Sequence, residues 1–273
     1  MKNTMNRIII LGCSGSGKST FAEKLHEITG LPLYHLDNIW WREDRTHITR
    51  DEFDEQLASL IRKESWIIDG DYHRTYEIRI KACDTVFFLD YGEEVCLNGI
   101  RNRLGKKRKD IPWIESEPDP DLIKRIKEYE TETKPVLLDL FEKYPDKKFI
   151  TFKHRDEADR WLIKKLIIGL KVEGEINRPL GTSHPDYPEM IYPLNYGYFE
   201  GITGGDGEGQ DVYVLGIETP IDRFKGKVIA VYHRTDDNED KWIVSADGRN
   251  YTDEQILEKI EFQEKYFKGE LIR

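Results

Sequence analysis

The run Gly12-Cys13-Ser14-Gly15-Ser16-Gly17-Lys18-Ser19 restricts what this chain can fold into more than any other feature. It follows an apolar stretch, Ile8 to Leu11, and leads into the helical spacing of Phe21, Leu25 and Ile28. Glycines in this spacing, G-x-x-x-x-G-K-S, let successive backbone N–H groups turn inward around an anion, and the helix start behind them adds positive potential. Lys18 is placed to reach the outer phosphates of a nucleotide and the Ser19 hydroxyl to ligate Mg²⁺. We therefore expect Gly12, Gly15, Gly17, Lys18, Ser19 and Thr20 to bind ATP. No N-K-x-D guanine-reading motif follows, which disfavours GTP.

Such a loop belongs between a strand and a helix of a parallel sheet, and the next segments agree. Compact β-branched or aromatic runs (Arg7–Leu11, Trp66–Asp69, Thr85–Asp90, Lys148–Phe152) alternate with amphipathic patterns at Phe53, Leu57, Leu60 and Ile61 and at Leu122, Ile126 and Tyr129. This alternation predicts a doubly covered parallel α/β sheet. Asp37 and Asp69 fall at the ends of strands, where side chains of such a sheet face the ligand crevice, although helix capping explains either acid equally well. Arg101, Arg103 and the basic run Lys106 to Lys109 follow the fourth strand, where a lid would neutralise a transferring phosphoryl group. A solvated basic helix, the ordinary reading of such a run, and a nucleic-acid contact are the competing readings.

The pieces G-C-S-G-S-G-K-S-T, L-P-L-Y-H-L-D, W-I-I-D-G-D-Y, F-F-L-D and F-K-H-R-D-E-A-D-R-W-L resemble the adenylate-kinase-related P-loop proteins often labelled DNA topology modulation proteins, kin to the shikimate and gluconate kinases. The resemblance spans residues 5 to about 165 and implies ATP binding, with an unknown small-molecule phosphoacceptor near Asp37.

Beyond Leu166 the texture changes to Gly- and Pro-rich turns and short strands at Val212–Leu215, Lys227–Tyr232 and Trp242–Ser245, then one helix from Asp253 to about Lys268 with Ile256, Leu257, Ile260 and Phe267 on one side. This predicts a small, mostly β barrel with a terminal helix. The half is acidic: residues 167–273 carry 12 Lys and Arg against 21 Asp and Glu, within a chain of net charge -10. Acidity disfavours nucleic acid as a partner. Asp206, Glu208 and Asp211, at i, i+2 and i+5 on a glycine-rich turn, and the later group Asp236 to Asp240 are oxygen donors suited to Mg²⁺ or Mn²⁺, or equally polar turns.

Tyr192-Pro-Leu-Asn-Tyr-Gly-Tyr198 followed by Gly205-Asp-Gly-Glu-Gly-Gln-Asp-Val212 is similar to the Y-P-x-N-Y-G-Y and D-x-D-P-x-D-V blocks of the family I inorganic pyrophosphatases. By that resemblance Asp206, Glu208, Asp211, Asp236 and Asp240 are metal ligands, Glu208 is the base for a metal-bound water, and Arg178, Tyr196, Lys241 and Tyr266 contact phosphate. Glu208 stands where the family has Asp, and Gly209 where it has Pro.

Two domains follow, 1–166 and 167–273. The reading is a bifunctional enzyme: an ATP-dependent small-molecule or nucleotide kinase joined to an Mg²⁺-dependent inorganic pyrophosphatase. The alternative is an ATP-sensing regulatory protein whose second domain binds metal and phosphate without turnover. Three unpaired cysteines (13, 83, 96) and the lack of a long apolar run lead us to expect a cytoplasmic protein without a membrane partner; homo-oligomerisation is compatible with the sequence.

Overall fold

The structure, a computed structural model, describes residues 5–273. The chain divides into two compact units, Met1–Ala158 and Asp159–Arg273. The expected cut after Leu166 falls later in the chain.

The first unit alternates strand and helix: β1 (Arg7–Gly12), α1 (Lys18–Thr29), β2 (Leu33–His35), α2 (Leu36–Trp40), α3 (Arg50–Ile61), β3 (Trp66–Asp69), α4 (Tyr76–Ala82), β4 (Thr85–Leu89), α5 (Glu93–Arg103), α6 (Pro120–Glu128), α7 (Lys134–Lys143), β5 (Lys148–Phe152) and the start of α8 (Arg155–Leu162). The five strands are all parallel, in the order β2-β3-β1-β4-β5. Helices cover both faces, so the strands carry unbroken apolar runs, with Ile8, Ile9, Ile10, Trp66, Ile67, Ile68, Val86 and Phe87 fully buried. Burial of each such side chain contributes about 1.5–3 kcal/mol. Register places Ile10 beside both Asp69 and Phe87, and His35 beside Asp69. The C-terminal strand ends therefore align along one edge, and that alignment positions the site.

Local chemistry fixes where the helices start. Thr49 caps α3 and Glu52 returns the bond to the Thr49 backbone, a reciprocal capping box, after which Phe53, Leu57 and Leu60 form the buried stripe. Asp119 caps α6, with Pro120 at its first position.

The second unit contains β6 (Lys171–Arg178), β7 (Asn195–Thr203), β8 (Gly209–Leu215), β9 (Arg223–Arg234), β10 (Lys241–Ser245), α9 (Asp253–Glu264) and β11 (Gly269–Ile272). Strands pair in the order β10-β8-β7-β6-β9-β11, and an additional β10–β9 pairing closes β6 to β10 into a barrel. β6 needs Gly174, because a Cβ there would lie 2.1 Å from the Tyr198 carbonyl oxygen and inside contact distance of the Phe224 ring. The barrel interior holds Val172, Val212, Val214, Phe224, Val228, Trp242 and Val244, and Ile256 and Ile260 of α9 pack outside it against Tyr192, Leu194, Tyr196, Tyr213, Leu215, Ala230, Tyr232 and Ile243. α9 starts at a Thr252/Gln255 capping box. Its inward residues are Ile256, Ile260 and Glu264, one turn apart, so Leu257 is exposed rather than inward as expected. Among the described residues no helix is long and apolar enough to cross a membrane.

Candidate functional site

In the first unit the turn between β1 and α1 is built on left-handed glycines. Gly15 (φ 81°) and Gly17 (φ 96°) adopt backbone that side chains resist, and a Cβ on Gly15 would lie 2.1 Å from the Cys96 carbonyl oxygen. Lys18 is buried and its ammonium curls back, donating to the carbonyls of Gly12 (2.9 Å) and Cys13 (3.0 Å). The loop opens on a cavity of about 920 Å³ that Gly15, Gly17, Lys18, Ser19 and Thr20 line on one side.

Asp37 lines the same cavity but lies in the first turn of α2 rather than at a strand end. Tyr72 donates its hydroxyl to Asp37 Oδ1 at 2.7 Å. Burial raises the Asp37 pKa against that hydrogen bond, and Asp69 and Asp110 add to the rise while Lys18 opposes it. Asp69, buried at the end of β3, accepts from His35 Nδ1 at 2.7 Å. Burial disfavours charge on His35, but Asp69 outweighs it and the imidazole pKa is raised.

The arginines divide by helical position. Gly99, Asn102 and Arg103 of α5 face the cavity at i, i+3 and i+4, which turns Arg101 away; it donates to Asn98 Oδ1 instead (2.8 Å), so the expected Arg101 contact is not made. Arg103 does line the cavity, ion-paired to Glu115 at 2.6 Å. In the basic run Arg108 bridges Glu115 (2.9 Å) and Asp110. Asp110 is buried and accepts the Ser19 hydroxyl at 2.7 Å. Arg108 belongs to the basic run that was expected to form a lid, whereas Asp110 and Arg155 escaped sequence reasoning, the latter donating to the Gly15 carbonyl at 3.0 Å. Arg155 had a signal in the F-K-H-R run; Asp110, in irregular chain between α5 and α6, had none.

In the second unit, alternation gathers charges on the barrel face that α9 packs against. Asp211 precedes Tyr213 on β8, Lys241 precedes Ile243 on β10, and Arg234 follows Tyr232 on β9, each two residues along on that face. β10 runs parallel to β8 with Trp242 beside Val212, which sets Lys241 next to Asp211. The Lys241 ammonium, on a side chain 2% exposed, donates to Asp211, to Glu239 Oε2 (2.7 Å) and to Tyr196 Oη (3.2 Å). Burial, with Asp211 adding, drives the Tyr196 pKa up. Arg178 lies within reach of Tyr192, whose pKa burial raises and Arg178 lowers. Arg234 pairs with buried Glu264 (2.8 Å) and with Asp237 (2.8 Å), and Glu264 accepts from Tyr213 at 2.6 Å. Arg234 and Glu264 were missed, and Glu239 was counted in the acidic group but not among the ligands that the resemblance implied.

The other expected ligands turn elsewhere. Asp240 lies one residue out of phase with Lys241 and is bound by His233 Nδ1 at 2.8 Å; Glu239, in phase, takes the position beside the Lys241 ammonium. Asp206 accepts the Glu208 backbone N–H (2.9 Å) within its own turn, Glu208 is exposed, and Asp236 accepts the Lys268 N–H at 2.9 Å. Tyr266 is 65% exposed, because Glu264 and Phe267, three residues apart, take the inward positions on Arg234. As a seat for divalent cations the donor chemistry is incomplete. Asp211 and Glu239 converge on one cation, the Lys241 ammonium, but among the described residues no group of three His, Cys, Asp or Glu side chains is close enough to hold a metal ion.

No protein-family model matches the chain. No curated protein matches it either. Among solved structures it is similar to inorganic pyrophosphatases from Ehrlichia chaffeensis (16% identity, 38% of this chain and 85% of that one, TM-score 0.30), Neisseria gonorrhoeae (18%, 38% and 80%, 0.29) and Coxiella burnetii (15%, 38% and 85%, 0.30).

Proposed function

We propose that the chain is a bifunctional phosphate-transfer enzyme, an ATP-dependent kinase in its first unit and an Mg²⁺-dependent diphosphatase in its second. One observation carries the kinase reading: Lys18, Ser19, Asp37 and Arg103 open on a single cavity of about 920 Å³. In this reading Lys18 leaves the Gly12 and Cys13 carbonyls for the outer phosphates of ATP. Asp37, oriented by Tyr72, takes the proton of the acceptor hydroxyl as that oxygen attacks the γ-phosphorus. A raised pKa brings the Asp37 carboxylate nearer the strength a base needs at neutral pH. Arg103, Arg108 and Arg155 offset charge on the transferring group. A divalent cation held by Ser19 would neutralise charge on the bridging phosphate oxygens. The acceptor is a small molecule bearing a hydroxyl. The test is ADP formation from ATP with candidate acceptors: Asp37→Asn loses transfer while ATP binding persists, and transfer at the native rate in that variant overturns the assignment.

In the second unit Arg178, Tyr196 and Lys241 form the phosphate-facing set, with Asp211 and Glu239 as the carboxylates that would receive a cation. A second reading, a regulatory barrel that binds phosphate without turnover, is favoured by the Lys241 ammonium, which already neutralises those two carboxylates. Phosphate release from diphosphate across Mg²⁺ and Mn²⁺ concentrations separates the two. Release that scales with metal supports the enzyme, and metal binding without release supports the regulator.

A further inference from the structure

We propose that the acceptor half of the cavity is a stacking site for a flat heteroaromatic ring, and that the alcohol it takes is a nucleoside rather than a ring-free polyol. This rests on the kinase reading given above and adds the chemical class of its second substrate.

The carboxylate and two of the rings come from one short helix. Asp37, Trp40 and Trp41 stand at i, i+3 and i+4, along α2 and at its C-cap, so they share one face, and all three line the cavity. The axial rise from Asp37 to Trp41 is about 6 Å. Phe53, Tyr72 and Trp113 complete the wall. Tyr72, whose hydroxyl holds Asp37, stacks on Phe53 (centroids 4.9 Å apart, planes at 29°) and meets the Trp40 ring at 6.1 Å and 63°. Base and rings are therefore packed together. Trp113 arrives from the chain after α5, which meets α2 twice: Asn38 donates to the Lys109 carbonyl at 2.7 Å, and the Trp113 ring lies 5.6 Å from Trp41.

The wall lacks one contact. Trp40 already has a parallel partner in His47 (4.4 Å, 10°), whereas the rings around Trp41, those of Trp40, His47 and Trp113, lie at 81°, 78° and 87° to it. Among the described residues no ring stacks parallel on Trp41, and all three indoles are partly exposed. A flat ligand ring supplies that contact. A cationic ligand is disfavoured, because the Arg45 guanidinium already sits 5.7 Å from the centre of Trp113, and Arg50 lines the cavity without an ion pair among the described residues.

The other end of the acceptor is restricted as well. An acceptor phosphate is already ionised and needs no base, so Asp37 calls for a hydroxyl. A hydroxyl on Asp37 and a ring on Trp41 are one helical turn apart, a separation that the sugar of a nucleoside bridges between its primary hydroxyl and its base. The cavity, about 920 Å³, stands at the upper end of the roughly 300–1,000 Å³ of ligand sites, which leaves room for a nucleoside beside ATP. In the transfer the nucleoside oxygen bonds to the γ-phosphorus, the bond from that phosphorus to the β–γ bridging oxygen breaks, and the hydroxyl proton goes to Asp37. The products are a nucleoside monophosphate and ADP.

Calorimetry on the full chain tests the site with thymidine, cytidine, adenosine and guanosine, and with ribose and choline, each with and without a saturating non-hydrolysable ATP analogue. At least one nucleoside is expected to bind beside the analogue, while ribose and choline at the same concentrations do not. Trp41→Ala weakens that nucleoside at least tenfold, about 1.4 kcal/mol, and leaves the affinity for the analogue unchanged. Trp41→Phe, which keeps a flat face, recovers most of the loss. Should Trp41→Ala not fold, Trp113→Ala takes its place. Binding of none of the four nucleosides, or of ribose as tightly as the nucleosides, overturns the ring site. Choline binding more tightly than they do overturns the choice of an uncharged ring. A nucleoside that binds without ADP formation from ATP overturns the kinase reading and leaves the ring site standing, whereas ADP formation with ring-free alcohols alone does the reverse.

Discussion

Replacing Lys241 with Met removes the ammonium and keeps most of the buried stem, so the change isolates the charge. The native side chain is 2% exposed, while Asp211 and Glu239 are 23% and 29% exposed. Stranding one partner of a buried ion pair costs about 3–5 kcal/mol. The two carboxylates here keep about a quarter of their surface in water, which lowers the expected loss to about 2–3 kcal/mol. For a unit of this size that corresponds to a fall of roughly 8–12 °C in Tm. Calorimetry of the full chain measures the fall, and hydrogen exchange in the peptides of β8 and β10 locates it. If the two freed carboxylates form a cation seat, Mg²⁺ at a hundred times its Kd restores about 2.7 kcal/mol, nearly the whole loss. An unchanged Tm refutes the bridging role of Lys241. A fall that neither Mg²⁺ nor Mn²⁺ reverses refutes the seat and leaves the phosphate-binding regulator.

Three further outcomes follow from the first unit. Lys18→Ala abolishes ATP binding in calorimetry and leaves any phosphate release from diphosphate unchanged. Gly15→Ala meets both the left-handed backbone and the Cys96 carbonyl, and is expected to lower stability by about 2–5 kcal/mol, read as Tm. Tyr72→Phe removes the hydrogen bond that holds the Asp37 pKa down, so the acid limb of the kcat/KM profile moves to higher pH. For stability the sign runs the other way from a paired carboxylate. The Asp37 pKa is raised in the folded state, so its burial costs nothing below the unfolded value of 3.8 and destabilises as pH rises through the folded one; urea midpoints across that range check it.

The parallel sheet was legible because its central strands β1, β3 and β4 are buried on both faces and read as solid apolar runs, and the half-buried edge strand β5 still shows in its aromatic and β-branched residues; Trp66–Asp69 and Lys148–Phe152 begin and end where the residue pattern puts them. Short or interrupted elements were not. β6 alternates Val172, Gly174 and Ile176 inward, and the glycine, demanded by Tyr198 and Phe224, erases the middle of the apolar signal. α2 is five residues long, too short to show a helical period, and it carries Asp37 past the strand end. The site divides along the same line. Residues tied to a local turn, such as Lys18 and Ser19, can be placed from spacing, whereas Asp110 and Arg108 come from irregular chain and reach the loop only through the tertiary fold.

The acidic run before β10 carries this reasoning to single-residue resolution. Counting along Asp236 to Asp240, composition gives no reason to choose one carboxylate over another, and the family resemblance implied Asp236 and Asp240. Strand geometry decides otherwise. Trp242 faces the barrel interior, where it meets Phe199, and Ile243 the opposite side, against α9, so the set on β10 that faces α9 is the odd-numbered one: Ile243, Lys241 and, by extension, Glu239. Asp240 is thereby directed to His233 on the neighbouring strand. The parity is enforced by the burial of Trp242 and Ile243 on opposite faces, since a slip by one residue would exchange a tryptophan and an isoleucine between two filled sites. Glu239→Gln therefore weakens whatever cation or phosphate chemistry the barrel performs, whereas Asp240→Asn perturbs chiefly the His233 contact. Metal-binding calorimetry on the two variants distinguishes them. Equal loss in both would mean that the odd-numbered face is not the functional one.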